Sequence, residues 1–261
     1  MIRLHINPAF SALLQDHHLG SYHEVMQSEV GEIVEENEHR DVRRLQLAEQ
    51  TIYLKRTKSE KASSAFESYS RLRLAHSKPF KEMLHFKYLA DLGFDVAEVV
   101  AVGEDLRFAI PQRGFIMTAE VSGEDLSQLY LAAGERDRQR ILGQFGTLLG
   151  RLHSHGFYGS TRLKDIIYAG KPDANSRLTL IDRETRNPYP KRATTKRIIE
   201  RLLINIRRQA QQGEIFSESQ WGEFCDNYCD SLSSHAKIQN ETLLARILAS
   251  LQHNGKIRQS A

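Results

Sequence analysis

One lysine, one glutamate, two aspartates and one serine of this chain stand where their side chains could act together on a phosphate group. Lys55 closes the run Tyr53-Leu54-Lys55-Arg56, and Glu82 follows on a stretch of helical period. Ser160 and Asp165 lie in Tyr158-Gly159-Ser160-Thr161-Arg162-Leu163-Lys164-Asp165, directly before the apolar Ile166-Ile167-Tyr168. Asp182 follows Arg177-Leu178-Thr179-Leu180-Ile181. Phosphoryl transfer asks little covalent work of a protein. It needs a cation on the nucleotide phosphates, carboxylates that hold a hard metal ion, and an oriented acceptor hydroxyl. Taken singly, each residue has an ordinary reading: a strand-end lysine serves solubility, a helical glutamate is a surface group, and an aspartate after a strand makes a turn. Their order along the chain, each on a fitting element, is what gives them weight.

Those elements are legible from periodicity. Residues 22–57 read as strands: Ser28 to Val34 alternates, Glu35 to Arg40 forms a polar tip, Val42 to Leu47 alternates again, and Thr51 to Arg56 closes a third strand. Residues 58–77 are polar and serine-rich, a connection. Ser77 and Pro79 open a helix whose apolar positions are Phe80, Met83, Leu84, Tyr88 and Leu89, ended by Gly93. Val96 to Val102, Phe108 to Ile110, and Gly114 to Val121 are further strands. Ser122 to Leu126 breaks the pattern and starts a helix. Ile141, Leu142, Phe145, Leu148, Leu149 and Leu152 make one stripe of a helix stopped by Gly156. Beyond residue 194 the chain reads as helical, with Ile198, Ile199, Leu202, Leu203 and Ile206 on one face.

Strands, helix, strands, linker, helix, loop, strand, helices is the order of a protein-kinase-like chain. The loop after Gly156 is similar to the H-x-D-x-x-x-x-N catalytic loop of that superfamily. In this register Tyr158 stands in place of the histidine, Ser160 in place of the base aspartate and Asp165 at the metal position. Asp182 stands where the aspartate of D-F-G would lie. The chain resembles the lipopolysaccharide core kinases, the Kdo/WaaP family, over roughly residues 20–230. The resemblance rests on Tyr53-Leu54-Lys55-Arg56, Lys81-Glu82 with Leu92-Gly93, Phe115-Ile116-Met117-Thr118, Leu152 to Tyr158, and Leu180-Ile181-Asp182-Arg183.

It implies an α+β, bilobal protein-kinase-like fold: a sheet-rich N-lobe over 1–121, a hinge near 118–122, and a helical C-lobe over 122–261. It implies ATP and Mg²⁺ bound between the lobes. Lys55 would contact the nucleotide with Glu82 orienting it, Glu120 and Val121 would lie beside the nucleotide at the hinge, and Asp165 and Asp182 would hold the metal. Ser160 would occupy the base position. The implied acceptor is a sugar, heptose or Kdo, of the inner lipopolysaccharide core, and such enzymes work at the cytoplasmic face of the inner membrane.

Two departures keep a second reading open. A serine hydroxyl does not accept a proton near neutral pH as a carboxylate does. The tip Glu35 to Arg40, expected to cover the phosphates, has no glycine and three acids, and would repel phosphate unless His39 and Arg40 turn inward. A kinase and a pseudokinase that keeps the fold and serves as a binding or scaffold protein therefore both stand. Asp165 could itself be the base; the apolar strand directly after it favours the metal role. His153 and His155 read as a substitute base or as helix-end histidines.

Composition bounds the partners. The 261 residues are 40% hydrophobic and 26% charged, with a net charge of +3. Arg183, Arg186, Lys191, Arg192, Lys196, Arg197, Arg201, Arg207 and Arg208 crowd one stretch, suited to a phosphorylated glycan, to an anionic membrane surface, or to plain solvation. Nucleic acid is disfavoured, because interleaved aromatics and a known module are lacking. Cys225 and Cys229 read as a reduced pair on one helix face. No signal pattern or membrane-length apolar run is visible, so the expected location is the cytoplasm, with peripheral contact at the inner membrane.

Overall fold

Alternation in the strand β4 (Gln50–Thr57) sends Ile52, Leu54 and Arg56 to one face and Tyr53 and Lys55 to the other. The computed structural model, which describes residues 1–60, 75–169, 177–185, 187–211, 216–232 and 238–252, builds its larger sheet around this strand. The remaining strands are β1 (Ile2–Ile6), β2 (Glu32–Asn37), β3 (Arg40–Leu47), β5 (Val99–Arg107) and β6 (Ile110–Ala119). All neighbours are antiparallel, in the order β1-β5-β6-β4-β3-β2. Lys55 lies opposite Val42 on β3 and Ile116 on β6.

Leu45, Ile52, Leu54, Phe115 and Met117 form a core with two short helices, Leu14 coming from α1 (Ser11–Asp16) and Tyr22 and Val25 from α2 (Tyr22–Gln27). Arg56 also enters this face, only 6% exposed. Burial of a lone guanidinium would be prohibitive, and Asp41, directly opposite on β3 and wholly buried, answers it. Arg56 Nε donates to both Asp41 oxygens at 3.1 and 3.0 Å, while Nη1 donates to the carbonyls of Val25, Met26 and Ser28. The helix α3 (Lys78–Asp91) packs across β4, β5 and β6 on the Lys55 side of the sheet.

Two strand expectations are corrected here. Residues 22–27 are helix α2, started by a reciprocal cap in which Ser21 Oγ accepts the Glu24 N–H and Glu24 accepts the Ser21 N–H. Phe108 and Ala109 make the turn between β5 and β6, at φ of 49° and 62°, because a tight hairpin connection needs residues of positive φ. Strand β1 had no expectation attached to it.

The chain divides into two compact units, Met1–Val121 with Arg183–Pro188, and Ser122–Asp182 with Tyr189–Ala261. Segment Arg183–Pro188, expected in the helical part, thus groups with the sheet. The second unit holds α4 (Leu126–Ala132), α5 (Glu135–Ser154), α6 (Thr195–Gln211), α7 (Glu218–Asp230) and α8 (Asn240–Gln252). A small sheet of β7 (Glu124–Asp125), β8 (Ile166–Ala169) and β9 (Arg177–Leu180) accompanies them. The stripe from Ile141 to Leu152 is buried as its spacing predicts. Helices α5 and α7 approach closely: a Cβ on Gly146 or Gly150 would stand 2.5 Å from the carbonyl oxygen of Phe224 or Tyr228. Burial pushes the Cys225 thiol up to about 12 and the Cys229 thiol up to about 11, so both stay protonated and serve packing. No helix among the described residues is long and apolar enough to cross a membrane.

Gly156 ends α5 and aims the following loop. Its φ is +80°, and an added Cβ would lie 1.9 Å from the Lys191 carbonyl oxygen, whose own N–H donates to the Gly156 carbonyl at 3.0 Å. Gly156→Ala should therefore cost at least about 1–3 kcal/mol, the strain of the left-handed position with the clash added. Urea denaturation of the two proteins checks this, and an unchanged midpoint would mean that the 156–191 contact does not govern folding.

Candidate active site

The position of Glu82 is set by the start of α3. Ser77 caps the helix by accepting the Phe80 N–H, and the Ser77 N–H donates to the wholly buried Glu104 at 2.7 Å. His76 Nδ1 and Arg3 Nη1 lie 2.9 and 3.2 Å from Glu104 Oε1, which ties the helix start to β5. One turn on, Glu82 faces β4, and Lys55 Nζ donates to its Oε1 at 3.0 Å. The side chains are 20% and 4% exposed, so the carboxylate lies in a low-dielectric setting where its partners matter. The Arg183 N–H donates to the same oxygen at 3.3 Å. Arg183 is only 2% exposed; it is therefore not part of a basic surface, as its place in the basic stretch suggested.

Beside this pair lies a cavity of about 230 Å³, lined by Asn37, Arg40, Lys55, Lys78, Glu82 and Glu184 among others. The polar tip is shorter than expected: β2 runs to Asn37 and β3 begins at Arg40. Asn37 makes this possible, since its Oδ1 accepts the N–H groups of His39 and Arg40, both at 3.0 Å. Of the two residues expected at a hinge, Glu120 Oε1 accepts Tyr53 Oη–H at 3.2 Å and Arg44 Nη2 at 3.4 Å, and its N–H donates to the Thr51 carbonyl. Val121 is half-buried at the end of this stretch.

In the second unit, Asp165 closes a 3₁₀ turn, Leu163–Asp165, and is 4% exposed. Arg162 wraps it. The guanidinium donates through Nε at 3.1 and 2.8 Å to the two oxygens and through Nη2 at 2.7 Å, and the Arg162 N–H donates to Oδ2 at 3.1 Å. The Asp165 carbonyl accepts the Ile181 N–H at 3.0 Å, and Ile166 pairs with Leu180. Asp165 and the half-buried Asp182 thus stand at the same end of the β8–β9 ladder. Among the described residues, no group of three His, Cys, Asp or Glu gathers into a metal cluster.

Ser160 is exposed in a stretch that is neither helix nor strand. That stretch is held by the Gly159 carbonyl, which accepts Asn205 Nδ2 and Thr161 Oγ1, each at 3.4 Å. Asn205, 4% exposed on α6, was missed from sequence; its signal was a polar residue beside the stripe Ile198, Leu202 and Ile206. His153 is wholly buried, its Nδ1 2.6 Å from the Tyr228 hydroxyl and its ring against Tyr158, which makes it a packing residue behind the loop. Burial pushes the Tyr158 phenol above its ordinary value. His155 is exposed at the helix cap. Lys191, Arg192, Lys196, Arg201 and Arg207 are exposed, as a charged face should be. Arg186 and the Arg208 side chain lie outside the described residues.

A sequence model of the family described as lipopolysaccharide kinase (Kdo/WaaP) matches residues 24–228. Among solved structures, WaaP in complex with acyl carrier protein is similar, with a TM-score of 0.66 over 97% of each chain at 17% identity. A likeness at that identity concerns the fold, which is α+β and protein-kinase-like, with a sheet-rich first unit and a helical second. No curated protein matches the sequence.

One turn beyond Glu82, His85 is 2% exposed, and burial pushes its pKa from 6.5 down to about 3, with the Arg183 charge adding to the shift. The native state therefore binds fewer protons than the unfolded chain between those values. Stability from a neutral His85 is complete above pH 6.5 and is lost as pH falls toward 3. In that window His85→Gln should flatten the acid limb by up to about 1.4 kcal/mol per pH unit. Denaturation midpoints at pH 7, 6 and 5 read this directly, and parallel curves for the two proteins would exclude the buried imidazole as the cause.

Proposed function

Because the chain belongs to the lipopolysaccharide kinase (Kdo/WaaP) family, we propose that it transfers the terminal phosphoryl group of ATP to a sugar hydroxyl, on heptose or Kdo, of the inner lipopolysaccharide core. The observation that carries this reading is the Lys55–Glu82 pair at 3.0 Å. A lysine held by a helical carboxylate is pre-oriented as a phosphate ligand, and pre-orientation is most of what phosphoryl transfer requires.

Asp165 and Asp182 are the residues that would hold magnesium, which when bound supplies charge neutralisation on the phosphate oxygens. Two carboxylates at one end of a β ladder suit a hard cation. At Asp165 the Arg162 guanidinium supplies the positive charge meanwhile, so it would have to turn aside. Ser160, at the base position, can orient the acceptor hydroxyl through one hydrogen bond but does not remove its proton. The acceptor oxygen would bond to phosphorus as the bond to the leaving diphosphate breaks, and the proton would leave late, to the transferred group or to water. A loose transition state tolerates this, at a rate cost of roughly 10²–10⁴. Glu120 and Val121 would lie beside the nucleotide base. The exposed Lys191, Arg192 and Lys196, with the half-buried Arg197, would hold phosphorylated core glycan, or the anionic face of the inner membrane in a peripheral association.

A second reading, a pseudokinase that binds partners without transfer, is favoured by Ser160 together with the engaged carboxylate of Asp165. Radiolabelled transfer from ATP to isolated core oligosaccharide separates the two. For an enzyme, Lys55→Met should lower kcat/KM by about 100-fold or more. Ser160→Asp should raise kcat by up to about 10²–10⁴ with nucleotide affinity little changed. Nucleotide binding without transfer by either wild type or Ser160→Asp would establish the second reading. Arg162→Ala should tighten magnesium binding in the presence of nucleotide, and affinity unchanged by that substitution would remove Asp165 from the metal site.

A further inference from the structure

Most glycine-rich loops hold phosphate through backbone N–H groups. Here that route is taken up. The N–H groups of His39 and Arg40 at the β2–β3 turn are both given to Asn37 Oδ1, at 3.0 Å. The cavity beside them is instead lined by the cations Arg40, Lys55 and Lys78, the Arg56 side chain pointing to the other face of β4, against the carboxylates of Glu82 and Glu184. Arg56 is committed to Asp41 and Lys55 to Glu82. Arg40 and Lys78 converge on Glu184. Arg40 Nη1 donates to one of its oxygens at 3.0 Å, and Lys78 Nζ lies 3.4 Å from the other. One carboxylate thus bridges cations from β3 and α3, at the wall of the cavity that Lys55 also lines.

From this geometry we infer that Arg40 and Lys78 are phosphate ligands, doing with side chains what a glycine-rich turn does with its backbone, and that Glu184 is an internal anion occupying their shared position until a nucleotide phosphate displaces it. The inference rests on the nucleotide-binding reading above and adds to it which groups hold the phosphates and what competes for them. A guanidinium fork and an ammonium suit phosphate oxygens as well as they suit a carboxylate. The three side chains are 31%, 52% and 41% exposed, and ion pairs so wet are weakly held. A polyphosphate, with more charge and more acceptor oxygens, outcompetes one carboxylate there. The acids that made the tip look repulsive are partly spoken for: Glu35 takes Arg40 Nη2 at 2.9 Å, and Glu36 takes Lys58 at 2.7 Å.

Calorimetric titration of the full chain with ATP, with adenosine as the phosphate-free probe, tests the inference. Arg40→Ala and Lys78→Ala should each weaken ATP binding by about tenfold, the scale of one charge-assisted contact, and leave adenosine binding alone. Glu184→Gln should tighten ATP binding several-fold by removing the competitor. Thermal melts of the three variants verify that these exposed substitutions leave the fold intact. Wild-type ATP binding that is unchanged in Arg40→Ala and Lys78→Ala overturns the inference while the nucleotide-binding reading stands. Unchanged or weakened ATP binding in Glu184→Gln overturns the role given to Glu184. Absence of ATP binding in wild type and in Glu184→Gln alike overturns both the inference and the reading beneath it.

Discussion

The alternation of β4 is the constraint on which the first unit depends. Leu54 and Arg56 are held in the core face, Arg56 by the buried carboxylate of Asp41. Lys55, between them, has no choice of side: a slip of one residue would put Lys55 into the core and Arg56 out of reach of Asp41. The lysine therefore faces α3, and α3 is seated by Ser77 and Glu104 so that Glu82 meets it. A buried ion pair on one face of the strand thus fixes the Lys55–Glu82 pair on the other.

A second pattern runs through the candidate site. Three charged groups there already have an internal partner of opposite charge: Lys55 has Glu82, Asp165 has Arg162, and Arg40 has Glu35 and Glu184. A molecule that holds phosphate and metal in these places works by exchange, replacing an internal contact with a stronger external one. The pairs differ in how readily they exchange. Asp165 is nearly buried and bound through several hydrogen bonds, so its release costs more than that of the exposed Glu184.

The loop that carries Ser160 depends on packing more than on its own sequence. Gly156 turns the chain against the Lys191 backbone, His153 and Tyr228 fill the space behind, and Asn205 fastens the Gly159 carbonyl. Helix α5 can support this only because Gly146 and Gly150 let α7 approach to backbone contact. The carboxyl end of α5 is thereby packed against α7 where the loop begins.

Local periodicity was enough for the elements that bear the site: the strand ending at Lys55, the helix with Glu82, the stripe of α5, and the strand before Asp182. Their patterns are short-range, and burial of one face follows from residue types alone. The kinase-like order of elements was likewise legible, being a matter of order along the chain. Where local signals competed, reading from sequence failed: α2 was taken for strand although Ser21 and Glu24 form its capping box, and Phe108 for strand although it is turn. Only the tertiary structure decided which charges answer one another. Arg183 looked like one more cation of a basic run and is buried, its N–H on Glu82. Arg40 and Glu184 stand 144 residues apart and share a hydrogen bond. Periodicity describes which face a residue occupies, whereas an ion pair depends on two faces brought together by the fold, and nothing in the local pattern of either segment specifies the other.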